Sequence, residues 1–289
     1  MPRNLFRAAA LGLGVLLAGS GCGDARSGGA SGAAVVTAST DQTAVVGLCH
    51  SLTTPEEFAS PSDGSPAVPC TEPHTSQTFL TAQVPAALAT YPERPFPEQL
   101  QDATGNLCPA SELRKYLGGV DRDATAGMTI TAYYPSRAGW AAGERTVRCD
   151  VLLTAPDGSP RENTMDLEGA LAAPGSATIR LCYAQDIKDG VLATEGTDTT
   201  CSEPHTTEDV SAWFGQDASL VGREAQVQRC LPFVLEFLKV DTLPENVEVR
   251  PIVRIDGGAR AVRCGVAPRQ EVPAPWTGTL APVGGVTNG

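Results

Sequence analysis

Apolar and polar positions fall along this chain in an order that occurs twice. In the first half, Ala44 to Cys49 reads as a buried strand and Ser76 to Val84 as a second. A Pro-rich loop from Pro85 to Pro97 leads into a helical region, Glu98 to Leu117, which restarts at Pro109, a residue suited to a first helical turn. Gly118-Gly119 ends it, and Met128 to Tyr134 and Arg145 to Thr154 predict two further strands around a turn at Pro135 to Gly143. The second half gives Thr178 to Tyr183, Thr207 to Phe214, a helical Val221 to Val240 interrupted at Pro232, Val247 to Ile255, and Arg260 to Val266. Leu107 to Leu117 and Val234 to Val240 read as core. Strands bracketing a central helix, without regular strand–helix alternation, imply an α+β fold with a mostly antiparallel sheet. From Pro268 the chain is rich in Pro and Gly; its Thr277-Gly278-Thr279-Leu280 echoes Leu167-Glu168-Gly169-Ala170-Leu171 and predicts a short closing strand in each half.

The cysteines sharpen the repeat. Four lie in each half: Cys49, Cys70, Cys108 and Cys149, then Cys182, Cys201, Cys230 and Cys264. Cys70-Thr71-Glu72-Pro73-His74-Thr75-Ser76-Gln77 is matched by Cys201-Ser202-Glu203-Pro204-His205-Thr206-Thr207-Glu208, Val147-Arg148-Cys149 by Val262-Arg263-Cys264, and Leu48-Cys49 by Leu181-Cys182. The spacings differ (21, 38 and 41 against 19, 29 and 34), as loop lengths do around conserved positions of a duplicated domain. Two tandem homologous domains are expected, 44–173 and 177–283.

The first residues belong to no domain. Arg3 and Arg7 precede the apolar run Ala8 to Ala18, and Leu17-Ala18-Gly19-Ser20-Gly21-Cys22 follows. This is a secretory signal over residues 1–21, and it resembles a bacterial lipoprotein signal, in which Cys22 is acylated and becomes the mature N-terminus. Residues 22–43 are rich in Gly, Ala, Ser and Thr and read as a flexible tether, reaching roughly 25 Å if about 20 residues behave as a Gly-rich coil. No later stretch has the roughly 20 apolar residues that span a bilayer.

The 289 residues carry 21 Lys+Arg against 33 Asp+Glu, a formal charge of −12, which becomes −14 once Arg3 and Arg7 are removed with the signal. Such a body offers no basic face to nucleic acid and would be repelled by an anionic membrane, so lipid must supply attachment. Hydrophobic residues at 42% are enough for a core.

At the repeated motifs the chain resembles the septum formation family of actinobacterial envelope proteins. That pattern comprises a Gly-x-Cys strand, a Cys-x-x-Pro-His motif followed by an acidic or amide residue, a helical Cys, and Trp-x-x-Gly-x-Arg before the last Cys. The first half carries it at Gly47-Leu48-Cys49, Cys70 to Gln77, Cys108, Trp140-Ala141-Ala142-Gly143-Glu144-Arg145 and Cys149. The second half departs: Arg180 replaces Gly47, and Asp256-Gly257-Gly258-Ala259-Arg260 lacks the Trp. The resemblance covers essentially the whole folded chain and implies a place in the envelope and in cell division more than an activity.

Secretion puts the cysteines in an oxidising compartment, where four per domain suit two disulfides each. Each domain admits three pairings; the favoured set joins Cys49–Cys70 and Cys108–Cys149, then Cys182–Cys201 and Cys230–Cys264. Each first pair closes a loop of about 20 residues, which chain entropy values at roughly 3 kcal/mol. Zinc or redox chemistry would favour Cys-x-x-Cys, which is absent from the sequence, so no metal and no cofactor is expected.

Candidate binding residues are His74 and His205, with Glu72 and Glu203 two positions before them and Trp140 with Arg145 on the late turn. Each His is a ligand-binding or general-base group oriented by a neighbouring acceptor, or, the weightier alternative, a turn residue bonded to local backbone. His50 has no counterpart, Tyr183 standing in its place. Trp140 is either an exposed anchor for a partner, with Tyr133 and Tyr134 extending the surface, or a cap on the core while Arg145 pairs with an acid. No nucleophile elbow, phosphate loop or zinc-protease helix occurs. The expected function is a lipid-anchored, extracytoplasmic, non-enzymatic interaction module in envelope or septum assembly, its partner an envelope protein or cell-wall component. The alternative is an envelope hydrolase or metal-dependent enzyme centred on His74 and His205.

Overall fold

The computed structural model describes residues 44–104, 107–120, 123–155, 157–211, 222–256 and 259–282. The expected signal, Cys22, the expected tether, the far end of the strand expected to reach Phe214, and Gly257-Gly258 lie outside the described residues.

Two five-stranded sheets dominate, with every pairing antiparallel among the described residues. In the first sheet, β1 (Cys49–His50) lies between β2 (Ala67–Val68) and β3 (Ser76–Gln83); β5 (Thr146–Leu153) and the edge strand β4 (Met128–Tyr133) complete the order β2-β1-β3-β5-β4. The second sheet has the order β7-β6-β8-β12-β9, from β6 (Leu181–Lys188), β7 (Val191–Thr200), β8 (Thr207–Asp209), β9 (Val247–Val249) and β12 (Gly265–Pro268). A separate ribbon pairs β10 (Ile252–Asp256) with β11 (Ala259–Arg263).

The second sheet repeats the first in register as well as order. Cys49 faces Gln77 and Gln77 faces Val151; Cys182 faces Glu208 and Glu208 faces Val266. Residues eight beyond each motif cysteine face residues just past each late cysteine, Thr78 against Asp150 and Asp209 against Gly265.

Several expected elements change extent. Ala44 to Cys49 is mostly a turn, and pairing starts only at Cys49. The loop from Pro85 holds a short helix, α2 (Ala86–Ala89), and the turn after β4 contains α5 (Arg137–Ala141). A further short helix, α1 (Pro55–Ala59), is capped by Thr54 and Glu57. The helical region divides at Pro109 into α3 (Pro97–Thr104) and α4 (Ala110–Tyr116). Pro232 does not interrupt its helix: α6 runs Arg223–Leu238 straight through it, because burial of Cys230 and Val234 on one face outweighs the missing N–H. Val247 to Ile255 divides into β9 and β10. The expected closing strands do not form: 167–171 turns into a 3-10 helix at Ala170–Ala172, and single bridges lie just before both segments, His74 with Asn163 and His205 with Trp276.

β6 and β7 form the longest hairpin, its two-residue turn at Asp189 (φ 52°) and Gly190 (φ 75°). Positive φ at both positions is the primed turn whose twist matches paired strands, and Asp-Gly is its preferred sequence.

Each half buries its own core. Phe79, Leu113, Leu117, Val151, Leu153 and Leu171 pack in the first, and Val210, Val234, Val249, Val262 and Val266 in the second. Disulfides Cys108–Cys149 and Cys230–Cys264 tie each helical region to a strand within these clusters, while Cys49–Cys70 and Cys182–Cys201 staple the outer strands.

The halves are stitched together at Arg180. Thr125 bridges Arg180, Ala126 N–H donates to the Ile179 carbonyl at 2.9 Å, and Leu181 N–H to the Ala124 carbonyl at 3.1 Å. The buried Arg180 guanidinium donates to the Leu171 carbonyl (2.7 Å), meets Asp123 at 3.4 Å and lies 5.3 Å from the Phe237 ring centre. The departure from the Gly-x-Cys pattern at this position thus supplies the fastening between the halves.

Candidate functional site

The Cys-x-x-Pro-His motif builds the same clamp twice. Pro73 and Pro204 restrict the preceding Glu to extended backbone, which turns the following histidine inward. His74 and His205 are fully buried. Each Nδ1 donates to the carbonyl two residues back, His74 to Glu72 at 2.9 Å and His205 to Glu203 at 2.7 Å. That bond puts the proton on Nδ1 and leaves Nε2 a buried, unpartnered acceptor in both rings. Each histidine backbone also exchanges a pair of hydrogen bonds with a strap from the end of its half, Asn163 at 2.9 and 2.8 Å and Trp276 at 2.9 Å both ways. The Trp276 ring lies 4.0 Å from that of His205. Burial lowers the His205 pKa against the rise its Glu203 bond would give.

Three residues past each histidine, a side chain grips the same strap. Gln77 Oε1 accepts from Leu167 N–H at 2.8 Å while its Nε2 donates to Asp166 (2.7 Å) and Tyr116 (2.9 Å). Glu208 accepts from Leu280 N–H at 2.6 Å and from the Thr279 hydroxyl. Glu208 is buried, and desolvation outweighs its bonds to Thr279 and Leu280 and the pull of the Arg180 charge, pushing its carboxyl up to about 7. The motif is therefore a local device for closing each half, with the carboxylates of Glu72 and Glu203 left exposed.

Trp140 and Arg145 meet as a pair. Trp140 is 1% exposed and packs with Val84, Leu100, Tyr134 and Val147; it caps the core and is no surface anchor. Arg145 stacks 3.9 Å over the Trp140 ring and donates to the carbonyls of Ala89 (3.0 Å), Trp140 (2.8 Å) and Glu144 (2.7 Å), so its partners are backbone and aromatic face and not the acid that one of the two alternatives gave it. Trp140 Nε1 donates to the Tyr91 carbonyl at 2.9 Å, pinning the loop on which Tyr91 and Phe96 stand 50% and 66% exposed. Tyr133 and Tyr134 are both buried.

A buried polar network that periodicity could not reveal lies in the first half. Arg148 is fully buried between Asp63, in direct contact, and Asp150, whose carboxylate accepts from its Nε at 3.0 Å. Ser76 (2.7 Å) and Thr78 (2.8 Å) donate to Asp150 as well. Burial would raise Asp63, but Arg148 and Ser65 hold it below the usual carboxylate range. His50 sits at the edge, its Nδ1 3.3 Å from the Ser65 carbonyl, its pKa lowered by burial and by Arg148.

Two features invite ligands. Among the described residues one trio of metal-binding type lies together: Cys182, Cys201 and His205, with ligand atoms within 4.8 Å of one another. Both sulfurs are joined in a disulfide, which leaves no thiolate for a metal. The second is a cavity of about 660 Å³ beside the Arg180 stitching, walled by 125–128, Thr154, Ala155 and Arg161 on one side and by Leu181, 198–200, Ser202 and Glu203 on the other. Of the sequence candidates only Glu203 reaches it. Arg161 was missed, because nothing in its local sequence marks it; the segment carrying it folds back on the end of β5, Arg161 N–H donating to the Leu153 carbonyl at 2.9 Å.

The described residues contain no helix long and apolar enough to cross a membrane. Comparison with curated proteins and with solved structures found no match. A sequence model of the septum formation family matches residues 46–230, from the turn before Cys49, through both Cys-x-x-Pro-His clamps, to the helical Cys230. Matched over more than half its length, the chain belongs to the septum formation family.

Proposed function

We propose that this protein is a lipid-anchored, extracytoplasmic, non-enzymatic interaction module serving envelope or septum assembly. Cys22 carries the lipid after removal of residues 1–21, residues 22–43 form the tether, and two duplicated α+β domains, 44–173 and 177–283, form the body. The membrane is reached through the lipid, and the partner is an envelope protein or a cell-wall component. Family membership supports the process. Matching strand order and register in the two sheets support the duplication.

The observation that carries the reading is a contrast in direction. The motif histidines, the best catalytic candidates, turn inward with no ring atom open to a substrate, whereas Tyr91 and Phe96 turn outward on a loop held by the Trp140 indole. A general base must come within hydrogen-bond reach of the proton it takes. Exposed aromatic groups on a pinned loop match what dominates binding hot spots, at little ordering cost.

The test is a photo-crosslinking residue placed at Phe96 and, in a separate sample, at Val191, which is equally exposed on the β6–β7 hairpin of the second sheet. Crosslinks to an envelope protein or cell-wall polymer at 96 and none at 191 support the module. Equal yields at both positions, or none at 96, refute it. Cys22→Ser is expected to move the protein from the membrane fraction to the soluble fraction.

A further inference from the structure

The cavity beside the Arg180 stitching has an unusual charge arrangement. Three charged side chains line it: Arg161, Asp198 and Glu203. Asp198 is committed, taking a hydrogen bond from Arg263 Nη2 at 2.6 Å. Arg161 and Glu203 make no ion pair among the described residues.

Arg161 is built into its place. Its guanidinium lies across Gly127, whose φ of 64° and missing side chain leave the space; a Cβ there would stand 3.1 Å from Nη2 and 2.9 Å from the Thr154 carbonyl. Nη2 reaches the Gly127 carbonyl only at 3.5 Å, and Nε is buried with no acceptor. Arg161 lines the cavity with no acidic partner among the described residues, and a carboxylate is the group whose geometry matches a guanidinium fork. Glu203 lines the cavity from the second half, its backbone carbonyl held by His205 and its exposed carboxylate in no hydrogen bond among the described residues.

These charges select a ligand class. A simple anion would satisfy Arg161 but meet Glu203, and a simple cation the reverse. We propose that the cavity binds a small zwitterion, an amino acid or short peptide, with its carboxylate on Arg161 and its amine on Glu203. The volume lies within the range of small-molecule sites, and the hydroxyls of Thr154 and Thr199 offer bonding along the walls. The inference does not depend on the interaction-module reading, since a binding module and an enzyme could each use such a site.

The experiment is a titration of the purified protein, followed by NMR, with L-alanyl-L-alanine, its N-acetyl form and its C-terminal amide. Saturable millimolar binding of the free dipeptide is expected, weakened roughly tenfold or more by either block. Glu203→Gln, at an exposed side chain, should erase the preference for the free amine while leaving the amide disfavoured. Arg161→Lys should keep the charge and the fold yet weaken all carboxylate probes, because an ammonium cannot supply the bidentate fork. No saturable binding of the free dipeptide, equal binding of all three probes, or unchanged selectivity in Glu203→Gln would each overturn the proposal.

Discussion

Asp150 and Asp209 hold equivalent arginines from opposite members of the same strand pair. Asp150 follows Arg148-Cys149 on β5 and faces Thr78 on β3; Asp209 stands at the position of Thr78, on β8, and faces Gly265 where Asp150 would be. Arg263 contacts Asp209 as Arg148 contacts Asp150. The crossing has a steric companion: a Cβ on Gly265 would lie 2.2 Å from the Thr207 methyl and 2.8 Å from the Arg250 carbonyl. The second half has no room for an acid on β12 and carries it one strand over.

Removing either acid leaves a buried guanidinium with its second acid alone, Asp63 for Arg148 and Asp198 for Arg263. Asp150→Ala and Asp209→Ala are expected to cost about 3–5 kcal/mol each, read from urea midpoints. Importing the first half's arrangement with Asp209→Thr and Gly265→Asp together should fail to restore stability. A stable double variant would contradict the crowding at Gly265.

Glu208 gives the second half a pH dependence for which Gln77 supplies no counterpart. With its carboxyl raised from 4.5 to about 7, the folded chain keeps a proton there that the unfolded chain has released. This contribution is complete below about 4.5, is lost as pH rises through 7, and is flat above that. It amounts to roughly 3 kcal/mol at most. His50 and His205, lowered by burial, run in the opposite sense below their ordinary value of 6.5, so the readout is the difference between wild type and Glu208→Gln. The variant should gain relative stability between pH 4.5 and 7; parallel curves would rule out a neutral buried Glu208.

The motif histidines should behave as closing residues. His205→Ala removes the Trp276 ring contact and the Glu203 bond and is expected to cost roughly 2–4 kcal/mol, measured by thermal unfolding. His74→Ala should destabilise as well. Unchanged melting in both variants would return the histidines to the list of catalytic candidates.

Trp140→Phe keeps most of the packing but loses the bond to the Tyr91 carbonyl. A cost of about 1 kcal/mol or more is expected, together with faster amide hydrogen exchange across 85–97. Trp140→Ala should cost roughly 3–5 kcal/mol.

With every cysteine from Cys49 to Cys264 in a disulfide, the non-reduced protein should yield no free thiol from them and bind no zinc. Stoichiometric zinc would instead bring the trio of Cys182, Cys201 and His205 into use.

Much of the scaffold was legible because cysteines, prolines and glycines report on local chain geometry. The strand at Ser76, the restart at Pro109 and the strand ending near Thr154 all follow from period and punctuation. Pro232 misled because the pull of the buried helix face carrying Cys230 and Val234 is tertiary. The β6–β7 hairpin went unread: Asp189-Gly190 is a turn signal, but the polar residues of β7 do not alternate cleanly and give no strand pattern to go with it. The motif histidines stood out as residues, yet a motif does not say which way a ring points; the straps at Asn163 and Trp276, far along the chain, decide that. The cavity was invisible for the same reason, being assembled from segments far apart in sequence that meet beside Arg180.

The connectivity of the four disulfides bears on how the chain matures. Each joins one cysteine to the next in line, Cys49 to Cys70, Cys108 to Cys149, Cys182 to Cys201 and Cys230 to Cys264. A chain oxidised vectorially, in order of emergence, reaches the native set with no bond to undo, whereas nested or crossed pairings would invite slow thiol–disulfide reshuffling. Its dependence on an isomerase should accordingly be slight, and an oxidant alone should suffice for maturation.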